Sequence, residues 1–167
     1  VLSPVGLFSA AMCGIDIDAL LAGAAAMRDR CLQPGFRRNP ACVLAGVHHG
    51  LLAKGKGLHV MMPYSNRLLG LADWFRQLWA ESLGKRADRA GAEVFAGATP
   101  VRALGATDQH SQVQLYREGP NDKLLVFLEV AKHPAEVRVP DAFADVPGLA
   151  YLRKAKLSKL LNAEKTA

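Results

Sequence analysis

Three short apolar segments, separated by stretches long enough to form helices, constrain the fold of this chain most strongly. Residues 58–62 are bounded by Gly57 and Pro63, residues 124–130 form the clearest strand pattern, and residues 101–104 form a shorter one. Apolar runs of this length are typical of buried strands. Parallel neighbouring strands need long crossover connections, which helices usually supply. The sequence therefore predicts an α/β fold, a three-layer α/β/α sandwich with a mostly parallel central sheet.

Residues that start and stop helices lie between these segments. Asp16 is placed to cap a first helix, and Asn39 precedes a proline that opens a second one. Ser65 predicts the start of a long apolar helix, and Gly84 is placed to end it in a left-handed conformation. Helix boundaries of this kind are set by local hydrogen bonding, so the sequence predicts helices on both sides of the first strand.

The second half of the chain gives less regular patterns. Thr107 or Asp108 is placed to cap a helix that runs through Tyr116. Residues 85–99 are rich in Ala, Gly and charge, which predicts a loop with at most a short strand at residues 93–95. Residues 149–167 predict one continuous helix that reaches the last residue.

The length and composition suit one domain. The chain has 167 residues, of which 50% are hydrophobic, enough for one sizeable core. It opens without an initiator Met, and its predicted final helix has no stop residue. We therefore expect residues 1–167 to form a single domain that is a fragment of a longer protein.

Charge and cysteine content narrow the class of function. The formal net charge is +6, but the basic residues are spread along the chain without interleaved aromatics, which argues against nucleic-acid binding. Residues 1–12 lack the basic flank of a signal peptide and the length of a membrane span. Cys13, Cys31 and Cys42 lack the spacing of a zinc site or a disulfide framework. We expect buried, reduced thiols in a soluble cytoplasmic protein without a metal.

Ligands of parallel sheets bind beyond the carboxyl ends of the strands. The loops after Met62, Leu104 and Val130 are therefore the predicted ligand positions. His133 follows the last of these strands. It either lines the ligand edge or belongs to a surface turn.

Gln77 and Glu81 are the first pair of residues that suggest chemistry. They are four residues apart in the long apolar helix, so both side chains lie on one face and can meet one substrate. A carboxylate at this position is suited to remove a proton next to a carbonyl group. The alternative is a solvated Glu at a helix end.

His110 is the second candidate. Residues 105–111 form a small-residue turn that brings His110 into the first turn of a helix, where free backbone N–H groups favour anions. A neutral imidazole there could give and take a proton. The alternative is an exposed His near a helix cap.

In three blocks the chain resembles the bacterial glucose-6-phosphate isomerase family. The first block comprises residues 1–7 and 11–17, and the other two are residues 77–85, Gln-Leu-Trp-Ala-Glu-Ser-Leu-Gly-Lys, and residues 107–111, Thr-Asp-Gln-His-Ser. Their order and spacing match the family over essentially the whole chain. The resemblance implies a sugar-isomerase (SIS) domain, the second of two in such enzymes, and no cofactor or metal.

The resemblance also implies roles for the three candidate residues. Glu81 would move a proton between C1 and C2 of the open-chain sugar through a cis-enediol, and Gln77 would help to position the substrate. His110 would assist ring opening and would be supplied across a homodimer interface. The expected reaction interconverts glucose 6-phosphate and fructose 6-phosphate, in glycolysis and gluconeogenesis.

Some parts of the family pattern are expected outside this chain. The phosphate-binding loop belongs to the first sugar-isomerase domain, an enediolate-stabilising Arg should precede Val1, and a ring-opening Lys should follow Ala167. A protein limited to these residues should turn over little. The alternative is a non-catalytic, sugar-phosphate-binding SIS domain with a regulatory role.

Overall fold

The computed structural model describes residues 2–142 and 145–166. They form two compact units, residues 1–50 and 51–167, within those described limits. No helix in the described part of the chain is long and apolar enough to cross a membrane. The division into two units does not test the prediction of one domain over residues 1–167, which stays a prediction.

The first unit is helical, with α1 (Pro4–Met12), α2 (Ile17–Cys31) and most of α3 (Pro40–Leu52). The Asp16 carboxylate accepts a hydrogen bond from the Ala19 amide at 2.9 Å, which confirms the predicted cap of α2. The Asn39 side chain accepts one from the Cys42 amide at 3.1 Å, at the predicted start of α3.

The prediction of buried cysteines is wrong for two of the three. Cys13 and Cys42 are exposed and Cys31 is half-buried, although all three are free thiols. The physical reason is that the short helices of this unit leave apolar side chains at the surface of the chain. Phe8 of α1, for example, is 70% exposed.

The second unit is built on a three-stranded sheet of β1 (Leu58–Pro63), β4 (Thr99–Arg102) and β5 (Lys123–Leu128). The strand order is β4-β1-β5 and both pairings are parallel. In this register Val60 of the central strand lies between Val101 and Leu125. The predicted parallel α/β sheet is confirmed.

Three helices cover the two faces of this sheet: α4 (Leu69–Leu83), α5 (Thr107–Glu118) and α6 (Leu157–Thr166). Side chains alternate along a strand, so neighbouring residues of β1 face opposite ways. His59 contacts Trp79 of α4 on one face. Val60 and Met62 belong to the core on the other face, to which Tyr116 of α5 and Leu161 of α6 contribute. This arrangement gives the predicted three layers.

Three local predictions are wrong in their details. Gly84 ends α4 with φ −70°, not in the left-handed conformation. The Ser65 side chain makes no capping hydrogen bond, because a 3-10 turn over Asn66–Leu68 precedes α4. The short strand predicted at residues 93–95 is confirmed as β3 (Glu93–Ala96), but the rest of residues 85–99 is not all loop, because β2 (Lys85–Ala87) pairs with β3 as an antiparallel hairpin.

The predicted continuous helix over residues 149–167 is also wrong. A 3-10 helix covers Pro147–Leu152, and α6 begins only at Leu157. Lys154, between them, has φ +57°, which an α-helix cannot accommodate. Arg138 and Lys156 pair as an isolated antiparallel bridge. Pairing with a distant segment therefore interrupts the helix, and the local sequence gives no sign of it.

Candidate active site

Gln77 and Glu81 lie on one face of α4, as their spacing predicts. The Gln77 Nε2 amide donates a hydrogen bond to Glu81 Oε1 at 3.1 Å, and both side chains are exposed. This contact leaves Glu81 Oε2 available to an incoming group and limits the rotation of the carboxylate. The pair can therefore present a fixed base to a ligand at the surface of α4.

Trp79, which lies between them in sequence, anchors this part of α4 to the sheet. Its ring centroid lies 5.3 Å from that of His59 and 5.1 Å from that of Phe75. His59 is only 1% exposed, and burial lowers its pKa, although its hydrogen bond to the Lys56 carbonyl acts in the opposite direction. The neutral imidazole and the indole pack together, so the helix position of Glu81 is set by the core.

The carboxyl end of α4 lies at the edge of the sheet where the strands begin. Trp79 contacts the second residue of β1. A methyl group built on Gly97, just before β4, would lie 3.4 Å from Cα of Gly84, just after α4. Glu81, between these two contacts, therefore lies at the amino edge of the sheet.

His110 lies at the opposite edge. It is exposed in the first turn of α5, directly after the loop that leaves β4. The Gly105 amide donates to the Pro63 carbonyl at 3.0 Å, at the end of β1. The Asp108 carboxylate accepts a hydrogen bond from the Leu104 amide at 2.7 Å, which fixes the start of α5. These bonds hold His110 at the carboxyl edge.

The structure therefore does not bring the two predicted catalytic residues together within one chain. A strand rises about 3.3 Å per residue, so the four residues of β4 alone separate the two edges by roughly 13 Å. Glu81 and His110 could act on one small substrate only if they came from different copies of the chain.

The expectation that ligands bind at the carboxyl ends of the strands applies to His110 and not to Glu81. The crossover helix α4 runs antiparallel to the strand before it. Its carboxyl end, which contains residues 77–85, therefore returns to the edge where the strands begin.

Comparison with known proteins settles the family. Residues 1–141 match the family described as phosphoglucose isomerase. The chain belongs to the phosphoglucose isomerase family. A glucose-6-phosphate isomerase from Carboxydothermus hydrogenoformans is 52% identical over 166 residues, which cover 99% of this chain and 36% of that protein. The chain thus spans little more than a third of the length of that relative.

Solved structures also resemble the chain. A crystal structure of a hypothetical protein from Thermus thermophilus superposes with a TM-score of 0.86 at 42% identity, covering 98% of this chain and 38% of that one. A glucose-6-phosphate isomerase from Chlamydia trachomatis superposes with a TM-score of 0.68 at 22% identity, covering 86% of this chain and 26% of that one. The second likeness supports the fold alone.

A small cavity between the sheet and α5 is lined by two polar residues that the sequence did not single out. Tyr64 and Gln109 line a space of about 130 Å³ between the sheet and α5. Tyr64 Oη and Gln109 Oε1 are both buried, and neither has a hydrogen-bond partner among the described residues. The Gln109 amide donates to the Glu164 carbonyl of α6 at 2.7 Å.

Burial raises the pKa of Tyr64, and the negative charge of Glu164 raises it further, so its hydroxyl stays protonated and can donate. Only their positions in the sequence could have pointed to these two residues. Tyr64 directly follows a buried strand, and Gln109 precedes His110.

The described residues contain no group of three or more His, Cys, Asp or Glu side chains that could hold a metal ion. The three predicted site residues lie at two edges of the sheet. Gln77 and Glu81 form a hydrogen-bonded pair at one edge, and His110 lies at the other.

Proposed function

We propose that this chain contributes to a glucose-6-phosphate isomerase, which interconverts glucose 6-phosphate and fructose 6-phosphate. The hydrogen-bonded pair of Gln77 and Glu81 carries the proposal, because it presents an oriented carboxylate at a helix end. The name of the Carboxydothermus relative supports the substrate. A role in glycolysis and gluconeogenesis, in the cytoplasm, follows from that activity.

In this mechanism Glu81 acts as the general base. Its carboxylate removes the proton from C2 of the open-chain aldose, the electron pair of that C–H bond forms the C1–C2 double bond, and the carbonyl oxygen gains a proton. The resulting cis-enediol collapses to the ketose when Glu81 returns the proton to C1 and the C2 hydroxyl loses its own. Gln77 holds the carboxylate in position through its 3.1 Å hydrogen bond.

His110 assists ring opening from a second copy of the chain. Glu81 and His110 lie at opposite edges of one sheet, so a complete site in this proposal combines Glu81 of one copy with His110 of another. The proposed assembly is a homodimer with its imidazole donated across the interface.

Replacement of Glu81 by Gln in the full-length enzyme tests the proposal. General base catalysis contributes about 10²- to 10⁴-fold, so the isomerisation rate should fall by that factor while sugar-phosphate binding persists. Exchange of the C2 hydrogen with deuterated solvent should fall in parallel. Glu118→Gln, an equal charge change on the exposed end of α5, is the matched control and should leave the rate unchanged.

A rate for Glu81→Gln within a few fold of the parent would show that Glu81 is not the base. A parent protein that binds sugar phosphate without turning it over would instead support the regulatory SIS domain.

A further inference from the structure

A crevice opens at the carboxyl edge of the sheet, away from Glu81. Its volume is about 460 Å³. It lies between the segment that follows β1 and the segment that follows β5, and it is lined by residues of just these two segments: Ser65, Asn66, Arg67, Leu68, Val130, Lys132, His133, Pro134 and Ala135. The sequence leaves two positions open for His133, the ligand edge of the sheet or a surface turn. In the structure His133 lines this crevice.

The topology of the sheet explains why a crevice forms here. β1 and β5 are parallel neighbours. The chain leaves β1 toward α4 on one face of the sheet and leaves β5 toward α6 on the other. Loops that diverge to opposite faces leave a gap between them, and ligands of open α/β sheets bind in such gaps.

The charges lining the crevice are of one sign. Arg67 and Lys132 are cationic, and the lining includes no carboxylate. The carboxylate that is closest in sequence to Lys132, that of Glu129, forms an ion pair with Lys165 of α6. Within residues 2–142 and 145–166, neither Arg67 nor Lys132 has an acidic partner.

Some other arginines of the same unit are paired, unlike Arg67. Arg76 and Arg102 both contact the Asp73 carboxylate, at 3.0 and 2.8 Å. Cations that line one crevice without an acidic partner attract an anion, because their positive potentials add in the space between them.

We propose that this crevice binds a phosphate-bearing anion, a phosphomonoester with a small polar body. The Arg67 guanidinium binds the phosphate oxygens through two N–H groups, and Lys132 adds a point charge. The Ser65 hydroxyl and the Asn66 amide, from the same lining, bind the polar body. The volume suits a ligand of this size. The site lies at the sheet edge opposite Glu81 and is separate from the proposed base.

The test uses the full-length protein with Arg67 and Lys132 both replaced by Ala. Inorganic phosphate and glucose 6-phosphate are titrated separately by calorimetry, and the His133 ring signals are followed by NMR, assigned with His133→Asn. The parent should bind inorganic phosphate at this site with a shift of the His133 signals. The double variant should bind it at least about tenfold more weakly.

The control removes two exposed cations elsewhere in the same unit, Arg89 and Lys159, which gives the same change in net charge. It should bind phosphate as the parent does. Arg67 and Lys132 are both exposed, so their replacement should leave the fold intact. Lys132→Glu alone provides a second variant that should also lose phosphate binding.

Equal phosphate binding by the parent and the double variant would overturn the proposal, as would an equal loss in the control. If the crevice binds a phosphosugar, the His133 signals will report a lower dissociation constant for glucose 6-phosphate than for inorganic phosphate. Equal binding of the two will assign the site to the phosphate group alone.

Discussion

Glu81 and His110 lie at opposite edges of the same parallel sheet. Trp79 holds the end of α4 against the second residue of β1, at the start of the strands. The Gly105 amide is bonded to the Pro63 carbonyl, where β1 ends and the loop to His110 runs. If both residues serve one reaction, each complete site needs two copies of the chain.

Mixing two inactive variants tests this arrangement. Glu81→Gln and His110→Asn should each be nearly inactive alone as full-length proteins. After denaturation and refolding as an equal mixture, half the dimers are mixed and one of their two sites is intact, so about a quarter of the parent activity should return. No recovery, with mixed dimers demonstrated by native mass spectrometry, would contradict the shared site.

Gln77→Leu should affect turnover more than stability. The Gln77 side chain is exposed, so its loss should change the free energy of unfolding by less than about 0.5 kcal/mol. Without the 3.1 Å hydrogen bond the Glu81 carboxylate is no longer oriented, so kcat should fall by roughly tenfold or more. Steady-state kinetics measures this. Gln114→Leu, on the exposed surface of α5, should change neither quantity.

Tyr64→Phe should destabilise the protein by about 1 kcal/mol. Tyr64 Oη and Gln109 Oε1 face a cavity large enough for water, and a water bridging a donor and an acceptor would satisfy both. Loss of the Tyr64 hydroxyl removes one of the two hydrogen-bond partners of that water. Urea denaturation measures the change, and a crystal structure should show the water. A more stable variant would mean that the hydroxyl is truly unpaired.

His59 should make stability depend on pH in mildly acid solution. Burial lowers the pKa of His59 below its ordinary value of 6.5, so the unfolded chain takes up a proton before the folded one does. The free energy of unfolding should therefore decrease as pH falls below 6.5. His59→Gln should flatten that slope in denaturation curves between neutral pH and the onset of carboxylate protonation. An unchanged slope in His59→Gln would contradict this account.

Gly105→Ala should be destabilising, by about 1–3 kcal/mol. The added methyl group would lie 2.6 Å from ring atoms of Tyr64, and that ring is buried and cannot move aside freely. Gly70→Ala is the opposite case. Gly70 is helical, and outside its chain neighbours and the backbone of its own helix no atom lies within 4 Å of the added methyl, so its replacement should stabilise by about 0.5–1 kcal/mol. Thermal unfolding of the two variants compares them directly, and equal effects would contradict the packing argument.

The predictable parts of the fold are those with a strong local pattern. The strand at residues 58–62 became β1 over Leu58–Pro63, and the Asp16 cap is present. The hydrogen bond between Gln77 and Glu81 follows from helical spacing alone. The end of α4 at Gly84 was predicted, but the extended conformation of Gly84 and the break at Lys154 were not, because local sequence does not report pairing with other segments.

The sequence by itself determined the parallel α/β core and the pair of residues on α4, because hydrophobic alternation and helical periodicity are local properties. Only the tertiary structure decided where those residues lie relative to His110. The direction of a crossover helix and the order β4-β1-β5 fix which edge each side chain reaches, and both depend on contacts between segments far apart in the chain. The same long-range packing placed Tyr64 beside Gln109, and it opened the crevice between the segments after β1 and β5.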